Sequence, residues 1–201
     1  MQLEANDLGK RYNREWIFRH FNYTFATDNT YAVTGANGSG KSTLLQVLAG
    51  ATDKSEGTVV SRENEITGAL SFQSISIAAP YLELVEEMTA MELLNFHSVF
   101  KKLALPVNEI LSIVQLSWAS GKQIRYYSSG MKQRLRLAQA FFSETPVLFL
   151  DEPTTNLDTE GIQLYQTLIR EYSSGRMVIV CSNDKQEYDF CNALIEMGSF
   201  K

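Results

Sequence analysis

The chain has 201 residues, 44% hydrophobic and 20% charged, with a formal net charge of −5 and two cysteines. That balance suits one globular domain, or one with an insert, whose core needs neither disulfides nor a structural metal. The acidic character argues against nucleic acid as a direct partner, which would call for a basic stripe; Cys181 and Cys191 are too sparse for a zinc site, and no leader peptide or apolar run of about 18 residues is expected to target or span a membrane.

The first third reads as strands. Phe21–Phe25 alternates aromatic and polar residues, and Thr30–Thr34 is a short β-rich run ending at a glycine. Ser42–Ala49 places Leu44, Leu45, Val47 and Leu48 at helical spacing, and Thr58–Val60 and Ala69–Phe72 read as further strands. From about Ile75 to Tyr126 the character changes to Leu, Met, Glu and Lys at helical spacing, which predicts a mostly helical insert, at about 75–127 of a single domain spanning 1–201. Strand patterns return at Val147–Leu150, Val178–Cys181 and Leu194–Met197, with helices at Met131–Phe142 and Thr159–Tyr172 between them. Strands alternating with helices predict an α/β fold with a mostly parallel sheet covered on both faces. Such sheets bind ligands at the carboxyl ends of their strands.

Two motifs fall at such ends. Gly35-Ala-Asn37-Gly38-Ser39-Gly40-Lys41-Ser42-Thr43 fits the P-loop pattern G-x-x-x-x-G-K-[ST]. Glycine lets the backbone wrap a phosphate with N–H groups pointing inward, and the following helix aims its positive end at the same anion. Lys41 is placed to reach the β- and γ-phosphates of ATP, and Ser42 to offer a hydroxyl to Mg²⁺. The apolar run Val147–Leu150 ends in Asp151-Glu152. Adjacent carboxylates at a buried strand end are costly unless their charge is used. Asp151 suits a Mg²⁺ ion held through water, and Glu152 a general base that polarises the attacking water.

Together with Tyr127-Ser128-Ser129-Gly130-Met131 and Thr155-Asn156-Leu157-Asp158, these residues resemble the ATP-binding subunit of ABC (ATP-binding cassette) transporters, most closely the ABC-2-type and small exporters, along nearly the whole chain. The resemblance implies the ABC ATPase fold, with an antiparallel β portion on the N-terminal side. It also implies a signature at Ser128, Ser129 and Gly130 that binds the γ-phosphate of ATP held by a second subunit, homodimerisation around two ATP, and an Asp158 that crosses the dimer interface. By the same resemblance Tyr12 stacks on adenine, and Gln73, at a strand end before the insert, touches Mg²⁺ or the attacking water. Asn183 stands where the family has a histidine at the γ-phosphate, which implies slow hydrolysis. A separate transmembrane permease is expected to dock near Tyr81–Glu92, keeping the chain cytoplasmic at the inner membrane face. The acidic Glu83, Glu86, Glu87 and Glu92 either meet basic groups there or form a solvated face. A soluble ATP-switched module and a regulator dominated by binding remain as alternatives.

Overall fold

A computed structural model describes residues 1–63 and 66–201. In chain order its elements are β1 (Gln2–Tyr12), β2 (Glu15–Ala26), β3 (Thr30–Thr34), α1 (Lys41–Leu48), β4 (Glu56–Glu63), β5 (Ile66–Gly68), β6 (Ile75–Ala78), α2 (Ala90–Phe100), α3 (Val107–Ile113), α4 (Ser129–Phe142), β7 (Val147–Asp151), α5 (Thr159–Tyr172), β8 (Met177–Cys181) and β9 (Ala193–Glu196). An antiparallel sheet has the order β2-β1-β4-β5, and a parallel sheet the order β6-β7-β8-β3-β9. The expected α/β fold with an antiparallel portion is present.

Two sequence expectations are corrected. Ala69–Phe72 is not a strand: Ser71 accepts a hydrogen bond from the Gln73 amide and caps a 3-10 turn at Phe72–Ser74. A serine that bonds its neighbouring backbone competes with sheet pairing. The strand is instead Ile75–Ala78, where the helical insert was expected to begin, and Ile75 pairs with Val147 and Ala78 with Leu150 in the parallel sheet. Residues 79–88 are not helical either. Pro80 biases Ala79 away from helical geometry. Helix α2 starts only where Thr89 and Glu92 form a reciprocal capping box.

Both faces of the parallel sheet are covered. Leu148, Leu150, Val178 and Val180 point into a core shared with α4 and α5. Val147, Phe149, Met177 and Ile179 point the other way, toward α1 and the antiparallel sheet with Phe18, Phe21 and Phe25. Burying each such side chain contributes about 1.5–3 kcal/mol. The result is a rigid platform whose strand ends are fixed relative to one another. Because β8 lies between β7 and β3, the carboxyl ends that follow Asp151, Cys181 and Thr34 emerge side by side.

Candidate nucleotide site

The loop after β3 is wound through left-handed glycines. Gly35 has φ 141° and Gly40 φ 101°; a Cβ on Gly35 would lie 2.8 Å from Ser39 Oγ, and one on Gly40 2.7 Å from Ile17 Cγ2. Only glycine closes this cradle. Residues 37–43, with Ile17 and Glu152, line a cavity of about 340 Å³ at the start of α1. Lys41 Nζ donates to the Gly35 carbonyl at 2.7 Å, inside the loop it belongs to. Ser39 Oγ is buried without a hydrogen-bond partner.

Asp151 closes β7 at 2% exposure, and both of its carboxylate oxygens are buried without a partner in hydrogen-bond geometry. Burial pushes its carboxyl above the usual range. The facing Ser42 hydroxyl opposes the shift, Glu152 adds to it, and Lys41 and the Tyr81 hydroxyl pull it back. The next residue turns away: Glu152 has φ 43°, a left-handed conformation that a non-glycine residue adopts at a cost of about 1–3 kcal/mol. Its amide is held by the Cys181 carbonyl at 2.9 Å, and its side chain reaches the loop cavity that Asp151 does not line. Adjacent carboxylates are thus sent to different places.

From β8, Asn183 bridges the same loop. Its Oδ1 accepts the Gly35 N–H at 3.2 Å, and its Nδ2 donates to Asn37 Oδ1 at 3.1 Å. Asn37 and Glu152 line both the loop cavity and an adjoining one formed with Thr154, Thr155 and Asn183. Glu187, buried, accepts from the Thr154 amide at 2.7 Å and from the Thr154 hydroxyl, fixing the segment after Glu152.

A second depression, of about 420 Å³, opens elsewhere on the surface between Ser128–Met131, Gln115, Trp118 and Asn156–Asp158. Ser128 caps α4 by accepting from the Met131 amide at 3.2 Å. Gly130 fits against the Asn156 carbonyl, which a Cβ would approach to 3.0 Å. Asp158 is engaged within its own chain: it caps α5 through the Gly161 amide at 2.8 Å and pairs with Arg134 at 3.1 Å.

The remaining sequence-derived positions do not line the loop cavity. Gln73 lies exposed in the turn before β6, at the amino end of the sheet, while Asp151 lies at the carboxyl end. At about 3.3 Å per residue, the length of β6 separates them. It therefore does not reach the site, and the expectation that it follows a strand is corrected. Tyr12 sits half exposed at the β1–β2 hairpin with Lys10 Nζ 4.7 Å over its ring; the residue of that sheet that lines the cavity is Ile17. The acidic run is also largely occupied internally. Glu86 pairs with Lys132, Glu87 with Arg125, and Glu92 closes the α2 capping box. Sequence reasoning did not single out Ile17, which lines the loop cavity from β2. No sequence pattern marks it, since it sits within the strand in Trp16-Ile17-Phe18 like any half-buried β residue.

The residues fit a nucleotide with Mg²⁺. Asp151 carries two orphaned acceptors, Ser42 lines the loop cavity, and the glycine cradle has room for phosphate at a helix N-terminus. A P-loop on β3 and an acidic pair on the nearby strand β7 define a P-loop nucleotide-binding domain. Residues 18–155 match the ABC transporter family model, and the chain belongs to the ABC transporter family as an ATP-binding subunit. It is 31% identical to the ABC transporter ATP-binding protein YybJ of Bacillus subtilis over 98% of this chain and 92% of that one. It is also 31% identical to the cytochrome c biogenesis ATP-binding export protein CcmA of Rhizobium johnstonii, over 91% of this chain and 88% of that one. Against solved structures it superposes on an ATP-binding subunit of an ABC transporter with a TM-score of 0.84 at 22% identity, covering 98% and 85% of the two chains. It superposes on a bacterial Atm1-family ABC exporter with ATP bound at 0.79 and 18% identity, spanning 98% of this chain and 37% of that one.

Proposed function

We propose that two copies of this chain close around two ATP molecules and hydrolyse them to drive a separate transmembrane permease from its cytoplasmic face. The observation that carries this reading is the convergence of Gly35–Thr43, Asp151-Glu152 and Asn183 on one end of the parallel sheet. The loop amides and Lys41 bind the phosphates, and Lys41 exchanges its bond to the Gly35 carbonyl for the β- and γ-oxygens. Glu152 takes a proton from the water that attacks the γ-phosphorus, releasing ADP and phosphate. Magnesium, held through Asp151 and the Ser42 hydroxyl, would neutralise charge on the β- and γ-oxygens. Asn183 fixes the loop but carries no charge, so turnover is slow. Ser128, Ser129 and Gly130, at the N-terminus of α4, face outward for the partner copy's ATP.

The permease contact is assigned to the groove of about 620 Å³ lined by Phe72, Leu82, Leu84, His97 and Arg136. An apolar groove replaces acidic attraction as the basis for docking, since Glu86 and Glu87 have internal partners. Leu84→Glu should reduce co-purification with the permease while ATP binding persists; unchanged co-purification rejects this surface. Among the described residues no helix is long and apolar enough to cross a membrane.

The test of the whole reading is Glu152→Gln. The variant should bind ATP at parental affinity, lose phosphate release by about 10²-fold or more, and shift to a dimer on gel filtration with Mg·ATP. Parent protein that releases no phosphate, or a variant that remains monomeric with Mg·ATP, would overturn it.

A further inference from the structure

We propose that Glu187 is a positioning residue of this site, its carboxylate holding the turn after Glu152 so that Glu152 keeps the left-handed backbone that aims it into the loop cavity. The inference rests on the ATPase reading above.

Asp151 closes the strand, and Glu152 leaves it with φ 43°. A non-glycine residue keeps such a conformation only where its surroundings over-determine it. The Glu152 amide donates to the Cys181 carbonyl at 2.9 Å, and its carbonyl accepts from the Thr155 amide at 3.1 Å. The next two residues are held by side chains from elsewhere in the fold. The Pro153 carbonyl accepts from Nε2 of the buried Gln133 at 2.8 Å. The Thr154 amide and hydroxyl both donate to Glu187 Oε1, the amide at 2.7 Å. Glu187 thus supplies two bonds through one oxygen, two residues beyond Glu152.

Glu187 is itself anchored. It ends a 3-10 turn at Lys185–Glu187, which Asp184 caps by accepting from the Gln186 amide at 3.0 Å. Its carbonyl accepts from the hydroxyl of the fully buried Tyr165 on α5 at 2.6 Å. The residue is 3% exposed, and among the described residues its carboxylate pairs with no cation. Burying a carboxylate without a counter-ion opposes folding, which points to a service other than stability. Glu187 lines one cavity with Thr154, Glu152 and Asn183. Loss of its bonds to Thr154 frees the turn, and Glu152 loses its fixed direction within the site.

The experiment compares phosphate release and Mg·ATP affinity in full-length Glu187→Ala and Glu187→Gln, the second of which keeps an acceptor oxygen. Glu187→Ala should lower kcat about tenfold or more, with Mg·ATP affinity within about twofold of parent, and Glu187→Gln should recover most of the loss. In a Glu152→Gln background, where the base is already absent, Glu187→Ala should change the residual rate by less than about twofold. Hydrogen exchange of the segment 152–155 should be about tenfold faster in Glu187→Ala than in parent. A kcat within about twofold of parent overturns the proposal. So does a further loss of about tenfold in the Glu152→Gln background, or an equal loss of affinity and rate, either of which would mark Glu187 as structural. If Glu187→Ala does not fold, Thr154→Val, which removes only the hydroxyl bond, decides instead: kcat about threefold lower supports the proposal, and parental kcat overturns it. Parent protein that releases no phosphate rejects the ATPase reading, and the exchange comparison then decides alone, unchanged exchange overturning the hold of Glu187 on the turn.

Discussion

Asn183 and Asn37, 146 residues apart, are joined by a 3.1 Å bond from Nδ2 to Oδ1, while the same Asn183 accepts the Gly35 N–H at 3.2 Å. The asparagine after β8 therefore braces the glycine loop at two points. Asn183→Ala should lower the rate of phosphate release about tenfold or more and weaken ATP binding by less than about fivefold. Asn183→His, which can carry charge, should hydrolyse faster than parent; a rate no higher than parental would show that this position does not limit turnover.

Gln73 lies at the wrong end of β6 to touch a nucleotide. Gln73→Ala should leave ATP affinity and phosphate release within about twofold of parent. A tenfold loss would restore Gln73 to the site.

Two groups beside the groove set a pH dependence of stability. Burial, with the Lys101 charge adding to it, lowers His97 to about 4 from 6.5, and burial lowers Lys101 to about 8 from 10.5. The unfolded chain therefore binds a proton at His97 between about pH 4 and 6.5 that the folded chain refuses, so stability rises with pH across that window and falls on acidification. Allowing for partial solvent screening, the gain is about 1–2 kcal/mol. Lys101 extends the rise between about pH 8 and 10.5 by the same logic. Thermal melts should show the acid limb, and His97→Gln should flatten it; an unchanged limb assigns it to other groups.

Arg176 is a buried guanidinium whose partners are neutral. It donates to Ser76 Oγ at 2.6 Å, Thr145 Oγ1 at 2.7 Å and the Phe141 carbonyl at 3.0 Å, tying β6 and the end of α4 to the start of β8. Arg176→Ala should cost about 3 kcal/mol in urea unfolding, because it removes the donor to the buried Phe141 carbonyl, breaks the ties to Ser76 and Thr145, and opens a void. A loss under about 1 kcal/mol would mean that water replaces the guanidinium.

The chemistry of this protein is legible along the chain because its motifs are contiguous. A glycine loop between strand and helix works through its own backbone, so Gly35–Thr43 and the adjacent helix could be read without knowing the fold. The Val147–Asp151 strand is marked by an unbroken apolar run, and its end is where the acidic pair falls. The capped helices α4 and α5 were likewise visible from spacing.

What tertiary structure decided is which side chains meet. A four-residue strand begun at Ile75 rather than Ala69 leaves Gln73 at the amino end of the sheet, a shift that local β propensity does not resolve. Glu86 and Lys132, 46 residues apart, and Glu87 and Arg125, 38 apart, look like free surface charge until the fold pairs them. The strand order β7-β8-β3 joins Asn183 to Asn37 and sets Glu152 beside the loop. Sequence alone specified phosphate chemistry because that chemistry resides in backbone conformation and neighbouring residues. Side-chain partnerships across the sheet depend on strand order and register, which are set by burial over the whole chain.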